Sequence, residues 1–133
     1  MKIIISEKLF NIISLTSKNS NIEVGFILLG SKQDDIFIEK IVEMRNLNNS
    51  SNSFKLDQKE VDKTYQYSLN NNLEIIGFFH SHPTSTAAPS SRDIESMKVS
   101  DKIWFIYSGL NDNMFAFTYK DKLESIEIVT IYT

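Results

Sequence analysis

Cysteine is absent from this chain of 133 residues. Its absence excludes disulfide cross-links, thiol catalysis and every thiolate metal site, and it suits a reducing compartment. A basic excess is absent as well. The formal net charge is −3, which gives no electrostatic footprint for nucleic acid. No run approaches the roughly 18 apolar residues of a membrane-crossing helix. The opening Met1-Lys2-Ile3-Ile4-Ile5-Ser6-Glu7-Lys8 is broken by charges too early to form the apolar core of a signal peptide. These absences predict a cytoplasmic protein with neither membrane nor nucleic acid as a partner. No internal repeat divides the sequence, so one domain over residues 1–133 is expected. Histidine is scarce: the chain has two, and they stand two residues apart, in Gly77-Phe78-Phe79-His80-Ser81-His82-Pro83.

A chain of this length buries about two-thirds of its unfolded surface without covalent staples. Its apolar residues are patterned as follows. Residues 3–5 read as a short strand, and Ser6 as the N-cap of a helix whose apolar stripe is Leu9, Phe10, Ile12, Ile13 and Leu15. The near-continuous apolar run Ile22–Gly30 predicts a strand buried on both faces, with Glu23 its one charge. Residues 36–45 would pair with it as a hairpin. Residues 46–53, Asn-Leu-Asn-Asn-Ser-Ser-Asn-Ser, read as a surface loop, and 54–56 as a short edge strand. Asp57 then caps a helix, with Glu60 completing a capping-box variant and Val61, Tyr65 and Leu69 on one face. A strand over 73–82, a helix from Ser90 to about Val99, and three closing strands over 103–107, 114–119 and 123–132 complete the chain. The order β-α-β-β-α-β-α-β-β-β predicts an α/β (α+β) protein, a mixed sheet with helices packed on it.

Side chains alternate faces along a strand, so His80 and His82 would project the same way, with Ser81 opposite. Their reach suits two imidazole nitrogens about 2.0–2.1 Å from one zinc ion. Pro83 cannot donate to a ladder, so the strand should end there and open into a loop, a usual place for a site. Asp93 is the natural third ligand, carried at the third position of a helix that Ser90 would cap. Glu95, two residues on, is about 200° further around the helix and faces away. Two histidines and one aspartate leave a fourth tetrahedral position for water, the pattern of catalytic rather than structural zinc. Such a site needs a general base. Glu74 lies on the order of 20 Å along the strand from His80, too far to serve. A carboxylate among Val24, Phe26, Ile27 and Leu28 would be costly without a purpose, which favours Glu23, and partial burial would raise its pKa toward that of a base. Spacing alone does not separate Glu23 from Glu39 or Glu43.

Taken together, Glu23-Val24-Gly25-Phe26-Ile27-Leu28-Leu29-Gly30, His80-Ser81-His82-Pro83 and Ser90-Ser91-Arg92-Asp93 resemble the JAMM motif of the MPN/JAB metallopeptidases, a strand glutamate followed by H-x-H-x(7)-S-x-x-D. Every position of the pattern is matched. The resemblance implies a curved mixed sheet flanked by helices, like the cytidine deaminases. It implies one Zn2+ per chain held by His80, His82 and Asp93, with Glu23 as general base and Ser90 as the hydroxyl that steadies the oxyanion. The implied reaction is hydrolysis of a peptide or isopeptide bond after the Gly-Gly tail of a ubiquitin-like or sulfur-carrier protein. The chain is too short for the long insertions of eukaryotic relatives and resembles the short prokaryotic forms. Residues 46–56 and 83–89 are then the loops expected to touch an extended tail. The alternative is a non-catalytic MPN-type binding module, whose inactive members lack the ligands present here. A zinc deaminase would need a cysteine pair.

Overall fold

A computed structural model describes residues 1–132. The chain runs β1 (Ile3–Ser6), α1 (Glu7–Lys18), β2 (Gly25–Lys32), β3 (Ile36–Met44), α2 (Gln58–Asn70), β4 (Glu74–His82), α3 (Ser91–Lys98), β5 (Ile103–Ser108), β6 (Asn113–Tyr119), β7 (Leu123–Ile126) and β8 (Ile128–Ile131). The eight strands form one mixed sheet in the order β7-β6-β5-β4-β2-β3-β1-β8. The last two strands lie at opposite edges of that order, yet only Glu127 separates them. The sheet must therefore curl until its edges nearly meet, which is the curved mixed α+β architecture expected. Among the described residues no helix is long and apolar enough to cross a membrane.

Alternation on β2 divides the core in two. Phe26 and Leu28 join Ile3, Ile5, Phe79 and Phe105 beneath Ile13 of α1, with Phe26 and Phe79 meeting edge-on at 5.7 Å. Ile27 and Leu29 face the other way, toward Val61 of α2 and Phe78 of β4. A third cluster sets Met97 of α3 on Ile106, with Trp104 and Phe117 beside it. Burying each large apolar side chain contributes about 1.5–3 kcal/mol, so the sheet is stabilised from both faces.

The structure corrects several expectations. The single strand expected over 123–132 is two: β7 pairs antiparallel with β6, and β8 pairs parallel with β1. The expected strand over 22–30 begins only at Gly25, which leaves Glu23 outside the ladder. Residues 54–56 form no strand; Phe54 and Leu56 turn into the second cluster instead. Asp57 does cap α2, but Glu60 does not close the box, because its carboxylate accepts from the Arg45 amide. The faces of α1 and α2 also differ from their apolar stripes. Ile12 and Leu15 are exposed, as are Tyr65 and Leu69, while Ser17, Thr64 and Ser68 are buried. Each buried hydroxyl donates to a carbonyl of its own helix, on Ile13, Glu60 and Tyr65, so these small side chains pack closely without an unpaired polar group. Finally, β4 carries an irregularity against β2, where Leu28 pairs with Gly77 but Leu29 with Ile75. Ile75 and Phe78, three residues apart, consequently share a cluster, so Glu74 and His80, six apart, do not share a face.

Gly77 sets how closely β4 approaches β5. A Cβ there would lie 1.9 Å from the carbonyl oxygen of Ile103, a backbone atom that cannot turn aside. Gly77→Ala should therefore destabilise the fold by about 3 kcal/mol, the upper end of overpacking costs. Urea unfolding measures this; a loss under about 0.5 kcal/mol, the scale of an innocuous surface change, would show that the strands can part there.

Candidate metal centre and active site

His80 and His82 stand at the C-terminal end of β4, both buried. Their Nε2 atoms are 3.1 Å apart. Asp93 comes from the start of α3. Its Oδ1 lies 3.1 Å from His80 Nε2 and its Oδ2 3.2 Å from His82 Nε2. A capping box fixes that carboxylate: the Ser90 hydroxyl accepts from the Asp93 amide at 3.1 Å, and Asp93 Oδ2 accepts from the Ser90 amide at 2.9 Å. Capping and convergence on the histidines are therefore one arrangement. Ser90 Oγ uses a lone pair in the cap, so its O–H stays available to donate into the cavity that it lines.

Glu23 reaches the same point from the other side. The antiparallel register of β2 and β4 pairs Gly25 with His80, so the chain just before β2 runs beside His82. The backbones continue to bond there: the Ser81 amide donates to the Val24 carbonyl at 3.0 Å, and the Val24 amide donates to Ser81 Oγ at 2.9 Å. Glu23 is 5% exposed, and a carboxylate oxygen of it lies within 4.8 Å of an imidazole nitrogen of each histidine. The two glutamates left open beside it are elsewhere. Glu43 pairs with Phe26 on the β3 side of β2, away from β4, and both Glu39 and Glu43 are exposed. Glu74 accepts from the Lys32 amide, at the far end of β4, and Glu95 is exposed.

The donor set fits a zinc ion. Tetrahedral bonds of about 2.0–2.1 Å would separate donors by about 3.3–3.4 Å, close to the contacts found. His82 Nδ1 donates to the Thr86 carbonyl at 2.7 Å, which leaves the Nε2 lone pair of the neutral ring pointing at His80 and Asp93. Without a metal the charges settle among themselves. Burial works against the ionised form of Asp93, but hydrogen bonds from both histidines outweigh it and hold the carboxyl well below the usual range. Burial also disfavours the charged form of His82, yet its bonds to Asp93 and to Thr86 leave it above 6.5. Burial raises Glu23 above 4.5, with the two histidines opposing.

These directions predict opposite pH slopes for the metal-free and loaded protein. A histidine raised on folding adds stability that is fully present below about 6.5 and is lost as pH rises through its folded value. The lowered Asp93 adds stability above about 3.9, lost only in acid below that. Chelated protein should therefore melt lower at about pH 8 than at about pH 6. Zinc-loaded protein should do the reverse, because ligation requires neutral imidazoles. Melting temperatures at the two pH values check this, and parallel slopes would count against ligation by His82.

The centre opens into a cavity of about 390 Å³. Residues 52–56 form one wall, Ser85, Ser90, Arg92 and Asp93 another, and Phe78 and Trp104 belong to its apolar lining. Both loops expected near a tail thus border one cavity. The 83–89 loop is pinned rather than free: the Ser85 carbonyl accepts from Ser108 Oγ at 2.7 Å, Thr86 holds His82, and Ala87 is buried. Two contributors carry no mark of their role in the sequence. Asn46, inside the presumed surface loop, is buried with its Nδ2 on the Glu23 carbonyl, and Ser81, on the strand face opposite the histidines, holds the Val24 amide. An isolated buried asparagine among seven loop-forming neighbours carries no periodic signal that could have marked it.

The comparisons with known proteins agree with this architecture. The sequence profile of prokaryotic homologs of the JAB domain matches residues 8–120. The desampylase of Pyrococcus furiosus is 31% identical over 112 residues, which span 84% of this chain and 78% of that protein. Among solved structures, a protein of Desulfitobacterium hafniense superposes with a TM-score of 0.87 at 24% identity, covering 98% of this chain and 94% of that one. A JAB1/MPN domain protein from Archaeoglobus fulgidus gives 0.61 at 21% identity, covering 96% and 98%. These structural likenesses bear on the fold, whereas the profile match spans most of the sequence: the chain belongs to the prokaryotic JAB family.

Proposed function

We propose that this protein is a zinc-dependent isopeptidase that hydrolyses the bond after the Gly-Gly tail of a ubiquitin-like or sulfur-carrier protein. The observation that carries the reading is the buried Glu23 carboxylate set against His80, His82 and Asp93 at the mouth of one cavity. The likeness to a desampylase supports an isopeptide bond as the target. The retained ligand set gives nothing to favour the binding-module alternative. The proposal takes residues 1–133 as one catalytic domain acting in the cytoplasm.

In this reading His80, His82 and Asp93 would hold one Zn2+. When bound, that ion would supply water of lowered pKa and a Lewis-acid seat for the scissile carbonyl. The chain's own residues do the rest. Glu23, kept basic by burial, accepts the proton of the attacking water and returns it to the leaving amine. The Ser90 O–H donates to the oxygen that gains charge, a kind of contact worth about 2.7–4 kcal/mol in comparable sites. His82 is held in its ligating tautomer by Thr86. A tail of two glycines, with no side chains to clash, would lie extended in the cavity that 52–56 and Ser85 line.

The test is cleavage of fusions carrying each ubiquitin-like protein of the same organism. Cleavage after the tail should need about one zinc per chain, stop with a chelator and survive cysteine-directed reagents. Native protein that carries no zinc, or cleavage that persists under chelation, would overturn the proposal.

A further inference from the structure

Glu23 lies outside the regular ladder, since β2 begins two residues later. β4 holds the backbone of the next residue, Val24, and the 46–53 loop holds that of Glu23 itself. The Glu23 amide donates to the Ser50 carbonyl at 2.8 Å, and the Glu23 carbonyl accepts from Asn46 Nδ2 at 3.1 Å. Asn46 does more than this. Its Nδ2 also lies 3.3 Å from the Ser50 carbonyl and 2.9 Å from that of Ser53. Its Oδ1 accepts from the amides of Asn48 at 3.0 Å and Lys55 at 3.2 Å. One side chain, 7% exposed, thus binds five backbone groups. Most of residues 47–53 are exposed and none is a buried apolar anchor, so polar bonds to Asn46 are the main hold on the loop.

We propose that Asn46 is a positioning residue for the reaction: it locks the backbone of Glu23 and the cavity wall at 52–56 into one rigid unit. The inference rests on Glu23 acting as the base. A primary amide is the side chain this task requires. Aspartate would keep the acceptor for Asn48 and Lys55 but lose both donors, and alanine would lose everything. A buried group that bridges two parts of a site acts through placement, and displacing a catalytic group by about 1 Å costs on the order of 10²-fold in rate.

The experiment uses the full zinc-loaded chain and the tail fusion that the wild type cleaves. Asn46→Ala and Asn46→Asp should each lower kcat about 10²-fold with zinc still at one per chain, because the ligands come from β4 and α3. Asn71→Ala, an exposed change at the end of α2 whose side chain bonds only the Tyr67 carbonyl, should leave kcat within about threefold. Amide hydrogen exchange separates the two halves of the role. Asn46→Ala should speed exchange at Glu23, Asn48 and Lys55. Asn46→Asp should speed it at Glu23 while Asn48 and Lys55 stay protected. Where Asn46→Ala does not fold, Asn46→Asp, of the same size, carries the test. Turnover within about threefold of wild type in the folded variants, or loss of zinc together with activity, overturns the inference. If the wild type cleaves no tail fusion, the proposed activity has failed. The tether is then judged by exchange alone, and unchanged exchange at Asn48 and Lys55 in Asn46→Ala overturns it.

Discussion

Glu23→Gln should lower turnover by about 10²–10⁴-fold while one zinc per chain stays bound, the range that a positioned general base contributes. The substitution keeps the shape of the side chain and removes its charge, and with it the ability to take a proton. In the proposed centre Glu23 is not needed as a ligand, because His80, His82 and Asp93 make contacts of 3.1–3.2 Å among themselves. Stability supplies a second readout. A carboxylate that burial pushes above 4.5 is a group the fold tolerates at a cost, and a neutral amide of the same size lowers that cost. Stripped of zinc, the variant should therefore melt at or above the wild type. Metal analysis and kcat of the loaded protein, with a thermal melt of the stripped protein, decide the matter. A variant that retains wild-type turnover moves the base elsewhere, and one that loses zinc makes Glu23 a ligand instead.

The histidine pair and the Ser90–Asp93 box were legible because each obeys a local rule. Strand alternation puts residues 80 and 82 on one face, and a capping box places its third residue by geometry. Glu23 was only half legible. Its cost of burial pointed to it, but Glu39 and Glu43 could be set aside only by the register that lays residues 23–25 beside β4 and β3 on the far side. The helix faces misled for a different reason. Ser17, Thr64 and Ser68 look polar in sequence and yet are buried, because their hydroxyls are satisfied within their own helices. The split at Glu127 has no sequence signal, since β7 and β8 are told apart only by partners on opposite edges of a nearly closed sheet. The composition of the 46–53 loop marks a surface loop and gives no sign of what Asn46 does in it. That composition is what lets one asparagine organise the loop: its one apolar side chain, Leu47, stays exposed, and the backbone groups themselves are the available partners.

His82→Ala should remove both the metal and the activity while leaving a folded protein. Two ligands in place of three form a far weaker site. Losing even an outer partner of a ligand typically costs 10–100-fold in affinity, so losing the ligand should leave zinc well below one per chain after dialysis against a chelator. The fold should survive, because His82 sits at the end of β4 and belongs to none of the three apolar clusters. Compared metal-free, the variant should melt slightly below the wild type near pH 6, where the bond from His82 to Asp93 contributes, and the gap should narrow toward pH 8 as the imidazole loses its proton. Compared with zinc present, the gap should widen with pH, because only the wild type gains from ligation. This crossing of pH dependences separates a ligand from a merely structural histidine, whose removal would lower both curves alike. Full zinc occupancy in His82→Ala would move the metal off this histidine, and with it the catalytic reading of the centre.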